Sequence, residues 1–519
     1  MWSIIITSSL DKHAQDPFES GLFKIKGWGG SIMQNGKTLG VIVIAVAGLL
    51  IAIAQPFAPG LSPLGHYVMG TVVAGLGMWI FRPGNLPFMS GTSIILGLTL
   101  ALFFAHKAGL VFPGKVPFKA PPQIYGVVMG GFTSSAVWVL IPALYFGFVL
   151  QKTGLGKRIA YMVLKTFPAT WLGLAISWLV IGVALSALTP SIVVRVAIVV
   201  PIAIGIVEAC KVEFRSKGSA YICLLAWGMA LLPGTGWLTG SLSGPIMQGF
   251  FPPEIKPMAN FADWFKILAL PWFVVTILYV FFAYIFAKPK EAIAISSDMF
   301  KEEYKKLGPM SKDEIVSLLI LVGSLLMFFT ENQHGIPTAA TALFALFLFV
   351  MFRIITGPDI SAGINWDVVC FFGIAVALPP IFGVSGISAW FGPLIKGPIM
   401  SMAGSPLLFM LVITLGLMVI RFVDVPWGFT TCALTIIMLI PLFNDFGYHP
   451  LTVTMAYLIA INFFLLSYQQ PFLLMGEGMI QGRGWAPSHV LMFGLIYIAS
   501  AFISLLVAVP YWKMIGVIR

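Results

Sequence analysis

Residues 189–201 read TPSIVVRVAIVVP, an apolar run interrupted by Arg195 with no acidic residue beside it. A guanidinium keeps its proton in proteins, so it cannot escape burial by neutralising. What it offers is a full positive charge and five N–H donors, suited to an oxyanion or to backbone carbonyls. A second run of the same kind, FTTCALTIIMLIPLF, starts at Phe429. In each, a hydroxyl residue (Ser191, Thr431) stands ten positions before a proline (Pro201, Pro441), and Arg195 then corresponds to Thr435. Further on come two polar, glycine- and proline-broken stretches, LLPGTGWLTGSLSGPIMQG (231–249) and LLSYQQPFLLMGEGMIQG (465–482). They carry Thr235, Gly236, Thr239, Gly240 and Ser241 in the first, and Tyr468, Gln469, Gln470 and Glu477 in the second.

The elements that must position these residues cross a lipid bilayer. Of 519 residues 59% are hydrophobic and 9% charged, with mean hydropathy +0.97. A soluble chain carries roughly 25% charged residues. Eleven stretches are long enough to span, about 20 residues being needed: roughly 38–56, 66–82, 88–106, 125–150, 166–188, 263–287, 314–330, 336–356, 366–383, 405–420 and 488–510. Glycine (53) and proline (35) are abundant, as suits broken transmembrane helices. Period-2 segments are lacking, which argues against a membrane β-barrel. The expected fold is an all-α polytopic membrane protein of about 11 transmembrane helices.

The net charge of +11 is read through the positive-inside rule rather than as a nucleic-acid surface. Lysine and arginine gather at 152–165, 211–217 and 288–312, which assigns these loops and the N-terminus to the cytoplasm. Residues 1–37 read as a cytoplasmic tail without the pattern of a secretory signal. The cysteines (Cys210, Cys223, Cys370, Cys432) show neither metal spacing nor a disulfide framework, and the histidines do not cluster.

Two similar halves emerge, each with a connector (LQKTGLGKRIA, 150–160; FGVSGISAWFG, 382–392), then the hydroxyl-to-proline run, then the broken stretch ending in Met, Ile, Gln and Gly. Such pairs of interrupted segments point to the binding site of inverted-repeat transporters. The expected division is a tail (1–37), a first repeat with the first span (38–287), a lysine-rich linker (288–312) and a second repeat (313–519). Broken backbone at membrane depth must be buried in protein or line a cavity. Half-helices that begin there turn positive ends toward it, which favours anions.

In KTGLGKRIA, FADWFK (261–266), KLGPMSKDE (306–314), INWD (364–367) and TPS…R (Thr189, Pro190, Ser191, Arg195) the chain resembles the divalent-anion/sodium symporter family, over residues 38–519. It is most similar to that family's plastid dicarboxylate-translocator and citrate/succinate-antiporter branch. The resemblance implies a re-entrant hairpin in each repeat, scaffold and transport domains, a homodimer and an elevator-type motion. It also implies a secondary transporter of small organic anions of di- or tricarboxylate type, working as cation symporter or anion exchanger. The family's Ser-Asn-Thr tips are altered here: Ile192 and Val193 follow Ser191, and Thr431 is followed by Cys432 and Ala433. No asparagine stands in TGSLSG or SYQQPF. These departures keep an inorganic-anion or sulfonate permease open as an alternative, with a channel or a membrane enzyme as remote ones. Nucleophile–base and metal motifs of the HExxH or GxSxG kind are not found, and no phosphate-binding loop is present.

The substrate-binding candidates are Ser191, Ile192, Val193 and Arg195 at the first tip and Thr430, Thr431 and Cys432 at the second, with Trp427 as a wall or as packing. For Arg195, substrate contact is the favoured role and pairing to carbonyls at a helix end the alternative. The cation-site or coupling candidates are Thr235, Gly236, Thr239, Gly240, Ser241, Asp424, Gln469, Gln470 and Glu477. Their hydroxyl and amide groups would line the site or satisfy freed backbone groups. Asp424 can alternatively pair with Arg421, three positions away on one face. Glu477 can alternatively lie at the membrane surface. The coupling ion would be Na+ or H+, with no other cofactor. The location implied is a prokaryotic inner membrane, with no nucleic-acid partner.

Overall fold

The computed structural model describes residues 29–83, 86–109, 123–251, 255–291, 297–402, 404–422 and 446–518. Among these residues every regular element is a helix, apart from one isolated bridge between Tyr448 and Ile518. Three helices open the chain: α1 (Gly29–Ala54), α2 (Pro63–Phe81) and α3 (Met89–Lys107). After a short α4 (Ile124–Val128) comes a series of α5 (Ser135–Lys152), α6 (Leu155–Leu164), α7 (Trp171–Leu188), α8 (Ile192–Ala209), α9 (Lys217–Leu231) and α10 (Ser243–Phe250). A continuous rod, Phe261–Ala287, contains α11 (Phe261–Trp264) and α12 (Leu270–Phe282), each followed by a π-helical turn. The linker holds α13 (Ser297–Lys306). Then come α14 (Lys312–Phe329), α15 (Glu331–His334), α16 (Thr338–Met351) and α17 (Gly357–Ala362). The last series is α18 (Trp366–Val384), α19 (Ile387–Met400), α20 (Pro406–Ile420), α21 (Pro450–Asn462), α22 (Pro471–Met479) and α23 (Pro487–Met514).

Among the described residues ten helices are long and apolar enough to cross a membrane, so the chain is an integral multi-pass membrane protein. Local chemistry sets their starts. Ser134, Thr170, Ser191 and Ser216 each accept a hydrogen bond from a backbone N–H of the first turn of the helix that follows. Two differences from the sequence reading concern α8 and α9. The apolar run from Ser191 does not end at Pro201; α8 passes through that proline to Ala209. A proline inside a helix costs one backbone bond, and neighbours in a packed bundle can satisfy the freed carbonyl. Lys217–Leu231 is absent from the sequence-derived spans, yet α9 is buried along its whole length after Lys217. So is α21. Helices with no solvent- or lipid-facing side form the centre of a bundle, and these two lead directly into the broken stretches.

Two series of helices run in a similar order: long helix, connector, one or two further helices, wholly buried helix, short helix, long helix. They are α5, α6, α7–α8, α9–α10, α11–α12 and α18, α19, α20, α21–α22, α23, the stretch after α20 lying outside the described residues.

Several sequence landmarks are joints between elements. Arg158 on α6 donates from Nε to Glu314 Oε1 at 2.6 Å and from Nη2 to Oε2 at 3.0 Å, both side chains being buried. It also donates to the carbonyl of Gly308 at 2.8 Å, which fastens KTGLGKRIA to KLGPMSKDE. Asp367, the last residue of INWD, accepts from the N–H groups of Phe88 and Met89, each at 2.7 Å. It thereby caps α3 from α18, satisfying N–H groups that a helix start leaves unpaired. Lys152 at the end of α5 donates to Asp359 on α17 at 2.5 Å. Burial alone would raise the Asp359 carboxyl, but Lys152 and Thr356 outweigh it and hold the group below the usual carboxylate range.

Candidate functional site

α7 stops at Leu188 because Thr189 turns to extended backbone, and Pro190 follows. Thr189 Oγ1 accepts from the Ser191 N–H at 3.1 Å, and Ser191 Oγ accepts from the Val194 N–H at 3.3 Å. These bonds form a tip of three residues between α7 and α8, with α8 starting at Ile192. Gly147 on α5 lets the tip approach: a Cβ there would lie 2.6 Å from Ser191 Cβ. Ile192 is buried, whereas Val193 is 39% exposed. The tip therefore offers one apolar side chain, Val193, at the N-terminus of α8, with Ile192 turned inward.

Arg195 is fully buried one turn beyond Ser191. Its Nε donates to the carbonyl of Ala230 at 2.8 Å. Its Nη1 donates to the carbonyls of Thr189 at 2.8 Å and Gly240 at 2.6 Å. Carbonyl pairing, held open as the second role in the sequence, is thus the arrangement in this conformation. Ala230 is in the last turn of α9, and Thr189 caps the end of α7. A cation at two helix C-termini meets the negative ends of both. The clamp joins tip to break, and it depends on Gly234: a Cβ there would lie 2.5 Å from Nη2 and 2.6 Å from Nη1. Nη2 itself is buried and has no hydrogen-bond partner.

The first break runs from Leu232 to Leu242, between α9 and α10. Thr235, Gly236, Thr239, Gly240 and Ser241 are all buried in it. The hydroxyls of Ser241 and Ser243 hydrogen-bond each other. Trp237 donates to Ser186 Oγ at 3.1 Å and stacks on Phe265, tying the break to α7 and to the long rod.

The second break starts earlier than the sequence indicated. α21 ends at Asn462, five residues before SYQQPF, so an asparagine does stand at this break. Asn462 Nδ2 donates to Thr235 Oγ1 at 3.2 Å and to the carbonyl of Leu458 at 2.8 Å. This bond joins the two breaks. Asn462 follows LTVTMAYLIAI with no glycine or proline beside it to mark the end of the helix. Gln469 and Gln470 are buried. Gln469 Oε1 accepts from the N–H groups of Leu465 and Leu466, so the oxygen a cation would need is occupied. Gln470 Nε2 donates to the carbonyl of Ile461 at 2.8 Å. Arg421, buried at the end of α20, donates to the carbonyl of Gln469 at 2.6 Å. Two buried arginines, Arg195 on α8 and Arg421 at the end of α20, thus each bind a carbonyl of a break. Glu477 is half-buried near the far end of α22, within electrostatic reach of Arg215. Asp424, Trp427, Thr430, Thr431 and Cys432 lie outside the described residues.

Paired broken helices that meet around buried cationic and amide groups, inside a bundle of apolar helices, have the architecture of a membrane transporter. The chain belongs to the sodium:sulfate symporter family, whose transmembrane-region model matches residues 37–518. It is 23% identical to a membrane protein of Cupriavidus necator over 91% of this chain and 92% of that one. It is 27% identical to the L-tartrate/succinate antiporter of Shigella flexneri, over 69% of this chain and 73% of the relative. It is 22% identical to the chloroplastic dicarboxylate transporter 1 of Arabidopsis thaliana over 62% of this chain, and spans 60% of that protein's length. Among solved structures, the YdaH transporter of Alcanivorax borkumensis shares the fold with a TM-score of 0.54 at 13% identity, over 82% of this chain and 98% of that one.

Proposed function

We propose that the protein is a secondary transporter of small organic dianions, of dicarboxylate type, working by exchange in an inner membrane. The observation that carries this reading is Arg195: a permanent cation, fully buried, clamped between the first tip and the first break. A fixed charge at membrane depth is costly. An oxyanion held near it, at the positive ends of the half-helices, lowers that cost. The loaded site then moves through an apolar barrier more readily than the empty one, which favours one-for-one exchange. Because the tethered cation is always present, the first repeat has no need of a coupling ion to make its tip positive. The tartrate/succinate and dicarboxylate transport of the Shigella and Arabidopsis relatives, as their names give it, supports the dicarboxylate class. Alternating access by an elevator-type displacement of the broken segments against α1–α3 and the spans α5 and α18, in a homodimer, belongs to the same reading.

The test is competition. Purified protein in liposomes loaded with succinate should take up labelled succinate, with unlabelled succinate, malate or tartrate competing and acetate not. Competition by sulfate or a sulfonate alone would favour the second reading, for which the apolar Ile192 and exposed Val193 speak. No saturable uptake of any anion would overturn both.

A further inference from the structure

The second break carries a side-chain amide whose two ends are used unequally. Gln469 is fully buried, and its Oε1 accepts from Leu465 N at 2.7 Å and Leu466 N at 2.9 Å. Two backbone N–H donors converging on one atom identify that atom as the oxygen, because a flipped amide would set N–H against N–H. The direction of Nε2 is therefore fixed, and Nε2 is buried without a hydrogen-bond partner. Leaving a buried donor unpaired is unfavourable, so such a group calls for an explanation. Neighbouring amides do not share this state: Asn462 donates to Thr235 Oγ1 and Leu458 O, and Gln470 to Ile461 O.

The surroundings of Gln469 favour negative charge. Its own carbonyl accepts from the Arg421 guanidinium. α22 begins two residues later at Pro471 and turns its positive end toward the break. Against the opposite break lies the α8 residue Arg195, whose Nη1 donates to Gly240 O and whose Nη2 is likewise buried and unpartnered. The Thr235–Asn462 bond connects the two breaks.

We propose that Gln469 Nε2 is a substrate-binding donor that hydrogen-bonds one carboxylate oxygen of the transported anion. It supplies from the second break the amide that Ile192 and Val193 cannot supply at the first tip. This rests on the organic-anion reading above. Nε2 is covered in the present conformation, so the bond forms when the breaks part to admit the anion. With Oε1 engaged on two backbone amides, Gln469 serves anion recognition rather than a cation site, and it contributes to selectivity for carboxylates over anions that need fewer donors.

Gln469→Glu separates this role from a structural one. The variant keeps an oxygen for Leu465 and Leu466 but replaces the N–H donor with a second oxygen. Labelled-succinate exchange in liposomes would be measured alongside thermal unfolding. The expected result is KM raised about tenfold or more, as loss of a hydrogen bond to a charged group implies, with an unfolding midpoint below that of the wild type because a carboxylate is now buried. A KM equal to the wild type's would overturn the proposal. Should the glutamate variant not fold, Gln469→Met, of similar length and without a donor, carries the same expectation and refutation for KM, with a lower unfolding midpoint because Leu465 and Leu466 lose their acceptor. The two levels of failure differ: wild-type protein that exchanges no carboxylate overturns the functional reading itself. Wild-type exchange with unaffected variants overturns only the role of Gln469.

Discussion

Arg195 is the residue on which the site's geometry turns, and replacing it has a calculable outcome. The guanidinium makes three hydrogen bonds to carbonyls, at Thr189, Ala230 and Gly240. Bonds from a charged donor contribute about 1.5–3 kcal/mol each. Arg195→Met would remove about 4.5–9 kcal/mol of such bonding and leave three buried acceptors. Removing the buried charge returns several kcal/mol of desolvation cost. The net loss should be about 2–5 kcal/mol, a large share of the roughly 5–15 kcal/mol by which folded proteins are stable. Arg195→Lys keeps the charge, but an ammonium lacks the planar fork that reaches all three carbonyls. It should lose about 1.5–3 kcal/mol, one bond's worth or more, with no desolvation returned. Gly234→Ala provides a control that leaves every charge in place. Its Cβ would lie 2.2 Å from the Gly240 carbonyl oxygen and 2.5 Å from Arg195 Nη2, forcing the clamp apart. The assay is thermal unfolding by tryptophan fluorescence in detergent, with succinate exchange measured on the same preparations. All three variants should unfold earlier and exchange more slowly. Wild-type unfolding and exchange in both Arg195→Met and Gly234→Ala would refute the clamp.

Arg158→Ala strands Glu314 as an unpaired buried charge and should destabilise by about 3–5 kcal/mol. The double variant Arg158→Met with Glu314→Leu should recover much of that loss in the same unfolding measurement. Asp367→Ala removes the acceptor for two N–H groups at the start of α3 and should cost about 1–2 kcal/mol, while Asp367→Asn should cost less. The folded-state Asp359 carboxyl titrates below its unfolded value, so the Lys152–Asp359 joint contributes stability above the unfolded pKa of about 3.9. That contribution should disappear as pH falls through the folded value. Unfolding midpoints measured from pH 7 to pH 3 should therefore converge for wild type and Asp359→Asn at the acid end.

Much of this architecture was legible because membrane helices advertise themselves by length and composition. The tip at Ser191 was legible because a charge and a proline interrupt an apolar run. What Arg195 touches was not: two of its three carbonyl partners, Ala230 and Gly240, lie in another element and meet it only in the folded chain. Pro201 does not stop α8 because a packed bundle tolerates a proline inside a helix. Asn462 escaped notice because no glycine or proline marks the end of α21; the chain simply turns extended at Phe463. Gln469 was visible as a polar residue in a broken stretch, but only its hydrogen bonds distinguish its occupied oxygen from its free nitrogen. The quoted landmarks around Arg158, Glu314 and Asp367 read as family signatures, and their physical content is the fastening of one element to another.

Exchange driven by a built-in cation is the central claim, and one measurement bears on it most directly. Labelled succinate would be offered to proteoliposomes either preloaded with unlabelled succinate or empty, each with and without an inward sodium gradient. Rapid uptake into preloaded vesicles only, unchanged by sodium, is the expected result. Sodium-stimulated accumulation in empty vesicles would contradict it and make the protein a symporter despite Arg195.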